Sequence, residues 1–169
     1  MKGYTFRNYN QDHMARAIGM DLPISFKQSV EICRFIREKE IAMAKKLLQD
    51  VADKKTAVPF RRYDHDLSHK KKVGPARYPE KASKEFIKLI ESVEANAQFK
   101  GLNTSNLTIT HVSAHKSGKA LHFGRKSRRR MKRTNVEIIV EERIKKIEDK
   151  KETKEAKKEK KEKKVKKND

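Results

Sequence analysis

Two runs with the residue pattern of β-strands flank a strongly basic segment in the second half of the chain. In the later run, Val136, Ile138 and Val140 alternate with Glu137, Ile139 and Glu141, which is the period of a strand buried on one face. The earlier run alternates less regularly, since Leu107 and Ile109 share a face and Val112 falls on the other. Because adjacent strands joined locally usually pair antiparallel, we predict a hairpin over residues 107–142.

The connection between these two strands is long and basic. From His115 to Arg133 it carries nine Lys or Arg and no acidic residue, whereas hairpin loops usually have about 2–5 residues. Like charges repel one another, so an outside anion is needed to order the loop, and a nucleic-acid backbone is the obvious one. Leu121, Phe123 and Met131 interleave with the basic side chains, which favours RNA contact over a simple solvated charge run.

Two amphipathic helices are predicted between residues 25 and 53. Ser25 is a favourable N-cap, and Gln28 completes a capping-box pattern at the start of the first helix. The second helix runs from Ile41 to Asp53 after a short junction, so we expect the two helices to lie side by side. Their apolar stripes are Phe26, Val30, Ile32, Cys33, Phe35 and Ile36 in the first helix and Ile41, Ala44, Leu48 and Val51 in the second.

The clearest helix pattern begins after Pro79. It extends from Glu80 to Lys100, a length of about 30 Å at ~1.5 Å per residue. Gly101 follows at the C′ position, where glycine commonly ends a helix. The apolar stripe consists of Ala82, Phe86, Leu89, Ile90, Val93 and Ala97.

The N-terminal region gives weaker signals. Residues 1–12 are polar with scattered aromatic rings, and we predict an extended segment docked on the domain. Residues 13–22 predict a weak strand that adds an edge to the hairpin sheet. Its alternate apolar positions are Met14, Ile18, Met20 and Leu22, with Arg16 interrupting them.

No helical or strand period is recognisable from Thr56 to Pro79. This stretch contains three of the four prolines, and a structureless stretch of this length is unusual inside a compact domain. We therefore expect a partner to order it. Phe60, Tyr63 and Tyr78 lie among arginines, so the rings are suited to stack on unpaired bases while guanidinium groups bind phosphates.

The charge of the whole chain identifies the class of partner. The 169 residues carry a net charge of +21, which is typical of proteins that bind nucleic acid and, second, anionic membrane surfaces. No apolar run has the length of a membrane span or a secretory signal. Cys33 is the single cysteine, which excludes a disulfide framework and a cysteine zinc finger; we expect a buried thiol.

The C-terminal region is charged and lacks an apolar pattern. Residues 143–169 carry 14 Lys or Arg and 7 Asp or Glu, a net charge of +7 that leaves +14 on residues 1–142. The body is therefore basic in its own right. With no apolar face to pack, the tail is predicted to be either a solvated helix or disordered.

Several short motifs resemble those of one family. They are Val30-Glu31-Ile32-Cys33-Arg34, Val58-Pro59-Phe60-Arg61-Arg62-Tyr63, Ala76-Arg77-Tyr78-Pro79, Glu94-Ala95-Asn96-Ala97, Lys100-Gly101-Leu102, His115-Lys116 and Phe123-Gly124-Arg125. The family is the universal large-subunit ribosomal protein L twenty-two, called L seventeen in eukaryotes, and the match is to its archaeal and eukaryotic branch. The resemblance covers about residues 12–144. Between His115 and Arg125 the chain looks several residues shorter than that branch.

Pattern and resemblance together predict an α+β fold. A small three-stranded antiparallel sheet packs with three helices, a long β-hairpin protrudes, and a charged tail follows. The resemblance implies a cytoplasmic, structural protein of the large ribosomal subunit with no cofactor and no catalysis. It implies contact with large-subunit ribosomal RNA and neighbouring ribosomal proteins, and a hairpin that reaches towards the wall of the polypeptide exit tunnel and the nascent polypeptide.

The chain divides into three predicted parts. Residues 1–12 are an N-terminal extension, 13–147 the ribosomal protein domain and 148–169 the charged tail. Within the domain, 56–79 is a basic RNA-binding insertion and 107–142 the long hairpin.

Basic and aromatic side chains of the insertion, the hairpin and the first elements are the predicted RNA ligands. They are Arg16, Lys27, Arg61, Arg62, Tyr63, His65, His69, Lys70, Lys71, Lys72, Arg77, Tyr78, His115, Lys116, Lys119, Arg128, Arg129, Arg130, Lys132 and Arg133. The predicted hairpin tip nearest the tunnel consists of His122, Phe123, Gly124, Arg125 and Lys126.

Two other classes of function compete with this interpretation. One is a free-standing basic module for DNA or RNA, although no helix carries the exposed Arg, Asn and Gln face of a recognition helix. The other is a metal hydrolase centred on His65 and His69, with Asp64 or Asp66 as a further ligand. The lysines of that segment oppose a dication, and the ligand set is incomplete, so no metal is expected.

Overall fold

The computed structural model describes residues 3–64 and 66–143. The predicted tail from residue 148 and the predicted RNA ligand His65 therefore lie outside the described residues. In chain order the elements are β1 (Met14–Leu22), α1 (Phe26–Ile36), α2 (Ile41–Ala52), β2 (Val58–Pro59), β3 (His69–Lys70), β4 (Gly74–Arg77), α3 (Glu80–Phe99), β5 (Leu107–Lys116) and β6 (Thr134–Glu142). The α+β class is confirmed. No helix in the described part of the chain is long and apolar enough to cross a membrane.

The main sheet has the strand order β1-β6-β5, and both pairings are antiparallel. The predicted edge strand near the N-terminus is therefore confirmed. Strand β6 lies in the centre, and Val136, Ile138 and Val140 face the core as predicted. Its other face is covered as well, since Glu137 and Ile139 are also buried.

A β-bulge in β5 explains the irregular alternation of that strand. Ile109 pairs with Val140 and His111 with Ile139, so Thr110 is an extra residue without a partner in the ladder. One extra residue reverses the direction of every later side chain. Val112 is thereby returned to the core face that Ile109 occupies.

The face of β1 that packs on the core differs from the predicted one. Ala15 and Ala17 are buried, whereas Met20 is 60% exposed. Helix α3 packs across this strand, and the small alanine side chains leave room for a helix backbone to approach closely. Asn96 on α3 donates from Nδ2 to the Arg16 carbonyl at 2.9 Å. The small size of the side chains at this contact, and not the alternation of larger apolar residues, therefore decides which face of β1 packs on the core.

Helix α3 matches its prediction in extent, buried face and C-terminal cap. Its whole predicted stripe is buried. Gly101 has φ of +78°, and its N–H donates to Gln98 O at 2.9 Å while Leu102 N donates to Ala97 O at 3.0 Å. This pair of bonds is the Schellman motif, which requires a left-handed residue that glycine adopts without strain.

The expectation that α1 and α2 lie side by side is wrong. Helix α1 packs on β5, whereas α2 packs on α3. The junction between the helices pairs with the edge of β5: Glu38 N donates to Ile109 O, and Ile109 N donates to Lys39 O, both at 2.9 Å. These backbone bonds separate the two helices.

The predicted capping box of α1 is also wrong. Ser25 occupies the N-cap position in an extended conformation, but its side chain makes no cap hydrogen bond. Its carbonyl instead accepts from Ser29 Oγ at 2.9 Å. Ser25 and Gln28 line a surface cleft described below.

The insertion has secondary structure of its own, which the sequence pattern did not predict. Strands β2, β4 and β3 form a second small antiparallel sheet in that order. Val58, Phe60 and Ala76 are buried, and Val58 belongs to the main core. Phe60 is fully buried, so the expectation that its ring stacks on bases is wrong.

The N-terminal segment, residues 3–12, docks on the outer face of the main sheet as predicted. The Phe6 ring lies 5.0 Å from the His111 ring. Tyr9 donates from its hydroxyl to Met14 O at 2.9 Å. Lys100 Nζ donates to Gln11 O and Met14 O, both at 3.0 Å, and so ties the end of α3 to this segment.

Candidate nucleic-acid interface

A basic cleft opens where the start of α1, the insertion and the base of the hairpin meet. Its volume is about 480 Å³. Asp64 is the single acidic side chain among its described lining residues, and Lys27 Nζ lies 2.7 Å from Asp64 Oδ1. Six predicted RNA ligands that are far apart in sequence line this cleft: Lys27, Arg77, Lys116, Lys119, Lys132 and Arg133.

Hydrogen bonds between the hairpin base and the β1–α1 connection hold one wall of the basic cleft. Thr134 Oγ1 donates to Ile24 O at 3.0 Å in a buried position. Asp21 N donates to Asn135 Oδ1 at 2.8 Å, and Arg133 Nη1 donates to Asp21 O at 3.3 Å. The start of α1 and the hairpin are therefore fixed relative to one another, which positions cations from both.

The buried carboxylate of Glu31 anchors the insertion. Its Oε1 accepts from the backbone N–H of Arg62 at 2.8 Å and of Tyr63 at 3.0 Å, and its Oε2 accepts from Arg61 N at 3.2 Å. A buried carboxyl group is tolerated inside a protein where several donors satisfy its oxygens. Glu31 thereby sets the direction of the three residues that carry the insertion's first basic side chains. The signal in the sequence was an acid within the apolar run of α1, and its role was not predicted.

The half-buried aromatic rings of the interface lie beside cations. Tyr63 meets the Phe26 ring edge-on at 6.2 Å, and Lys27 Nζ lies 5.9 Å from the Tyr63 ring centre. Lys116 Nζ lies 5.4 Å from the Phe26 ring. A cation near a ring face is attracted to it, so these pairs fix cations at the rim of the cleft.

The distal hairpin is a hydrogen-bonded ribbon that ends in a tight turn. Met131 N donates to Ala120 O at 2.7 Å and His122 N to Arg129 O at 2.8 Å. The turn at Gly124–Lys126 uses a φ of +64° at Gly124. Phe123 is 87% exposed. The five predicted tip residues are thus the turn and the residues just before it, and the basic residues 128–130 follow on the returning arm.

Some predicted RNA ligands lie away from the basic cleft. The guanidinium of Arg16 lies 4.3 Å from the ring centres of both Tyr4 and Tyr9, on the face that the N-terminal segment covers. His69 and Lys70 form β3, and Lys70 Nζ lies 5.8 Å from the ring of Tyr78. Lys71 and Lys72 are exposed in the following turn. His115 lies near a second buried acid.

Glu137 is that buried acid, at 1% exposure, on the outer face of β6. Desolvation raises the pKa of its carboxyl, but hydrogen bonds from Thr5, Ser113 and His111 outweigh burial and lower the pKa to about 2. Thr5 N donates at 3.0 Å, Ser113 Oγ donates at 2.8 Å, and His111 Nε2 lies 2.8 Å away. The site holds the N-terminal segment on the sheet.

The metal-hydrolase alternative was centred on His65 and His69. Among residues 3–64 and 66–143, no three His, Cys, Asp or Glu side chains are grouped so that they could hold a metal ion. The His65 ring lies outside those residues.

Two arginines that the sequence interpretation missed lie next to the interface. Arg34 lies in the last turn of α1 and Arg37 is the C-cap residue of that helix, and both line a groove against β5 together with Arg62. The signal in the sequence is a pair of arginines three residues apart at the end of the first predicted helix.

Comparison with known proteins agrees with the motifs described above. The family described as ribosomal protein L22p/L17e matches residues 17–141. The large ribosomal subunit protein uL22 of Archaeoglobus fulgidus is 41% identical over 149 residues, which covers 83% of this chain and 96% of that protein. The uL22 protein of Staphylothermus marinus is 39% identical over 152 residues, which covers 82% of this chain and 96% of that protein. That of Thermoplasma volcanium is 46% identical over 116 residues, with 69% and 77% covered. The chain therefore belongs to the ribosomal protein L22p/L17e family.

Proposed function

We propose that this protein is a structural component of the large ribosomal subunit in the cytoplasm. Its relatives are named as large ribosomal subunit proteins. In this role it binds large-subunit ribosomal RNA, supports its assembly and contacts neighbouring ribosomal proteins. It has no catalytic role and needs no cofactor.

The observation that carries the proposal is the basic cleft. Six cations from three segments converge there on a space lined by one described carboxylate. Such a cluster attracts a phosphate backbone and gains free energy when condensed counterions leave the RNA. Guanidinium groups bind phosphate through two parallel hydrogen bonds, so Arg77 and Arg133 add orientation to the attraction of the lysines.

The hairpin supplies the second part of the proposed role. Its arms present Lys119, Arg128, Arg129 and Arg130 to phosphates, and its turn extends towards the wall of the polypeptide exit tunnel. The exposed Phe123 ring then lies near the nascent polypeptide. Neither DNA nor a membrane is a partner in this function.

Sedimentation tests the proposal. Tagged full-length protein is expected to sediment with large subunits in a gradient at physiological salt. Lys116→Glu combined with Lys132→Glu, in the basic cleft, should shift protein to the top of the gradient. Lys81→Glu combined with Lys84→Glu is the matched control, because it makes the same change of charge on exposed positions of α3. Wild-type protein that stays at the top of the gradient would refute the function.

A further inference from the structure

A second recess, which we call the arginine groove, lies between α1 and β5. Its volume is about 490 Å³. Phe26, Val30 and Cys33 from α1 form one side, and residues 112–114 of β5 form the other. Three arginines line the same groove: Arg34, Arg37 and Arg62.

On the α1 side, Phe26, Val30 and Cys33 give the groove an apolar surface beside Arg34. Cys33 is 3% exposed, and burial raises the pKa of its thiol to about 12. The thiol therefore stays protonated at neutral pH and behaves as a small hydrophobic group. On the β5 side, the small Ala114 side chain leaves space in front of the sheet. A flat uncharged group fits this surface better than a phosphate does.

The arginines give the groove a positive charge. Arg37 Nη2 donates to Val112 O at 3.2 Å and so reaches from the end of α1 to β5. None of the three arginines forms an ion pair with a carboxylate of the described residues. Guanidinium donors beside an apolar surface suit a ligand with a flat ring and a phosphate.

The arginine groove is continuous with the basic cleft. The Phe26 side chain lines both, and Arg62, at the groove, adjoins Tyr63, whose ring meets the Phe26 ring at 6.2 Å. A strand whose phosphates lie in the basic cleft can therefore pass over Phe26 and reach the groove without leaving the protein surface.

We propose that the arginine groove binds one unpaired nucleotide of the RNA strand held in the basic cleft. The base lies on Phe26 and Val30, and the arginines bind the adjoining phosphates. The inference rests on the proposed function and extends it, because it requires the RNA there to be single-stranded: a base in a duplex is stacked and paired and does not enter such a recess.

Crosslinking in intact subunits tests the placement of the base. Large subunits that contain the tagged protein and 4-thiouridine-substituted RNA are irradiated, digested and examined by mass spectrometry. A uridine crosslink on the α1 peptide that contains Val30 and Cys33 is expected. Crosslinks confined to the hairpin and insertion, in subunits that do contain the protein, would overturn the inference and leave the proposed function standing. If the tagged protein is missing from the subunits, the proposed function itself fails.

Binding to purified full-length protein tests the chemistry. The probe is a labelled oligouridylate of about six nucleotides, within the range that single-strand sites cover. Wild-type protein should bind it more tightly than a duplex of equal length, and polyphosphate or polyglutamate of equal charge should compete less well than unlabelled oligouridylate does. Equal competition by polyphosphate would show a site for phosphate alone, and stronger competition by polyglutamate a site for acidic peptide; either result overturns the inference.

Two variants test whether the binding of oligouridylate depends on the arginine groove. Val30→Phe fills the recess and should weaken oligouridylate binding by at least about fivefold, the lower end of a lost stacking contact, while leaving polyphosphate binding unchanged. Arg34→Glu, at an exposed position, should weaken the binding of oligouridylate and of polyphosphate. This variant keeps the test informative if Val30→Phe does not fold. Lys84→Glu makes the same charge change on exposed α3 and should leave the preference for single strands intact. Wild-type affinity in both groove variants would refute the inference.

Discussion

At the scale of single residues, two buried carboxylates hold separate segments of this domain together. Glu31 binds three backbone N–H groups of the insertion, and Glu137 binds Thr5 of the N-terminal segment. Each joins a segment without long regular structure to a rigid helix or strand. Because removing one partner of a buried charged hydrogen bond leaves the others unsatisfied, these acids matter more to stability than exposed ion pairs do.

Glu137→Gln should make the protein less stable and less sensitive to acid. The wild-type carboxyl has a pKa of about 2 against an ordinary 4.5, so its stabilisation is full above pH 4.5 and is lost as the pH falls towards 2. The stabilisation lost in this range is on the order of 3 kcal/mol. We expect the free energy of unfolding of the variant at pH 7 to be lower than that of the wild type by about 1–3 kcal/mol. This difference in stability should become smaller as the pH falls. Urea denaturation at a series of pH values from 7 to 3 measures the stability of the variant and its dependence on pH.

Glu91→Gln is the control for this experiment, because Glu91 is exposed on α3. Its stability should follow the wild type at each pH. Parallel pH curves for wild type and Glu137→Gln would show that Glu137 is not the acid-sensitive group.

Glu31→Ala should loosen the insertion more than the rest of the domain. Three backbone N–H groups lose their acceptor, at about 1–3 kcal/mol for an unsatisfied buried donor. Hydrogen exchange should speed up at residues 61–63 while the core of α3 changes less. Uniform acceleration across the chain would mean that Glu31 supports the whole fold instead.

At the scale of elements, the insertion has two different surfaces. Val58, Phe60 and Ala76 are buried, whereas Arg61 and Arg77 are exposed. Folding of the insertion therefore depends on its apolar side chains, and binding is assigned to its basic ones. A variant that changes one surface leaves the other in place.

A quintuple alanine variant tests this separation. It replaces Arg61, Arg62, Lys70, Lys71 and Arg77 and should keep the melting temperature of the free protein. RNA binding should weaken, and the slope of log affinity against log salt should fall by about 0.7–0.9 per lost phosphate contact. Phe60→Ala is the contrasting variant and should destabilise the fold by about 3–5 kcal/mol. Unfolding of the quintuple variant would contradict the separation.

The hairpin turn is the other element whose role can be isolated. Deleting Leu121–Ser127 removes the turn and its bridge to Arg130 but leaves the paired strands β5 and β6. Incorporation into large subunits should be unaffected, and crosslinks between nascent chains and the tunnel wall should change. A crosslinker at position 124 that reaches RNA and never nascent peptide would place the turn inside the RNA wall instead.

At the scale of the molecule, charge is the dominant property. Residues 1–142 carry +14 of the net +21, and the basic cleft and the arginine groove share the wall formed by Phe26. The uncompensated charge of such a surface attracts polyanions over a distance of about 8–10 Å at physiological salt. Assembly with RNA is therefore expected to depend strongly on ionic strength.

Truncation after Asp149 tests how much of that charge lies in the tail. Residues 150–169 carry 11 Lys against 5 Asp or Glu, and no apolar stripe is present to dock them. The truncated protein should enter large subunits as the wild type does, with a smaller salt slope. Failure to enter would show that the tail makes a specific contact.

Local patterns in the sequence determined the elements whose causes are local. The stripe of α3 and its terminal Gly101 were predictable because helix periodicity and a left-handed cap depend on residues within a few positions. The core face of β6 followed from its alternation in the same way, whereas the burial of its other face did not. The basic loop indicated an RNA partner, and the short motifs around it indicated the protein family. Both could be recognised from the sequence because charge and short motifs are properties of the chain itself.

Tertiary structure decided what depends on partners distant in sequence. The bulge at Thr110 returns Val112 to the core because β5 must match the register of β6. The acceptor role of Glu31 arises only where the insertion meets α1, and Phe60 is buried although arginines follow it in the sequence. The alanine face of β1 follows from the close approach of α3. In each case packing and hydrogen bonding between separate segments outweighed the local pattern, and those contacts exist only once the chain has folded.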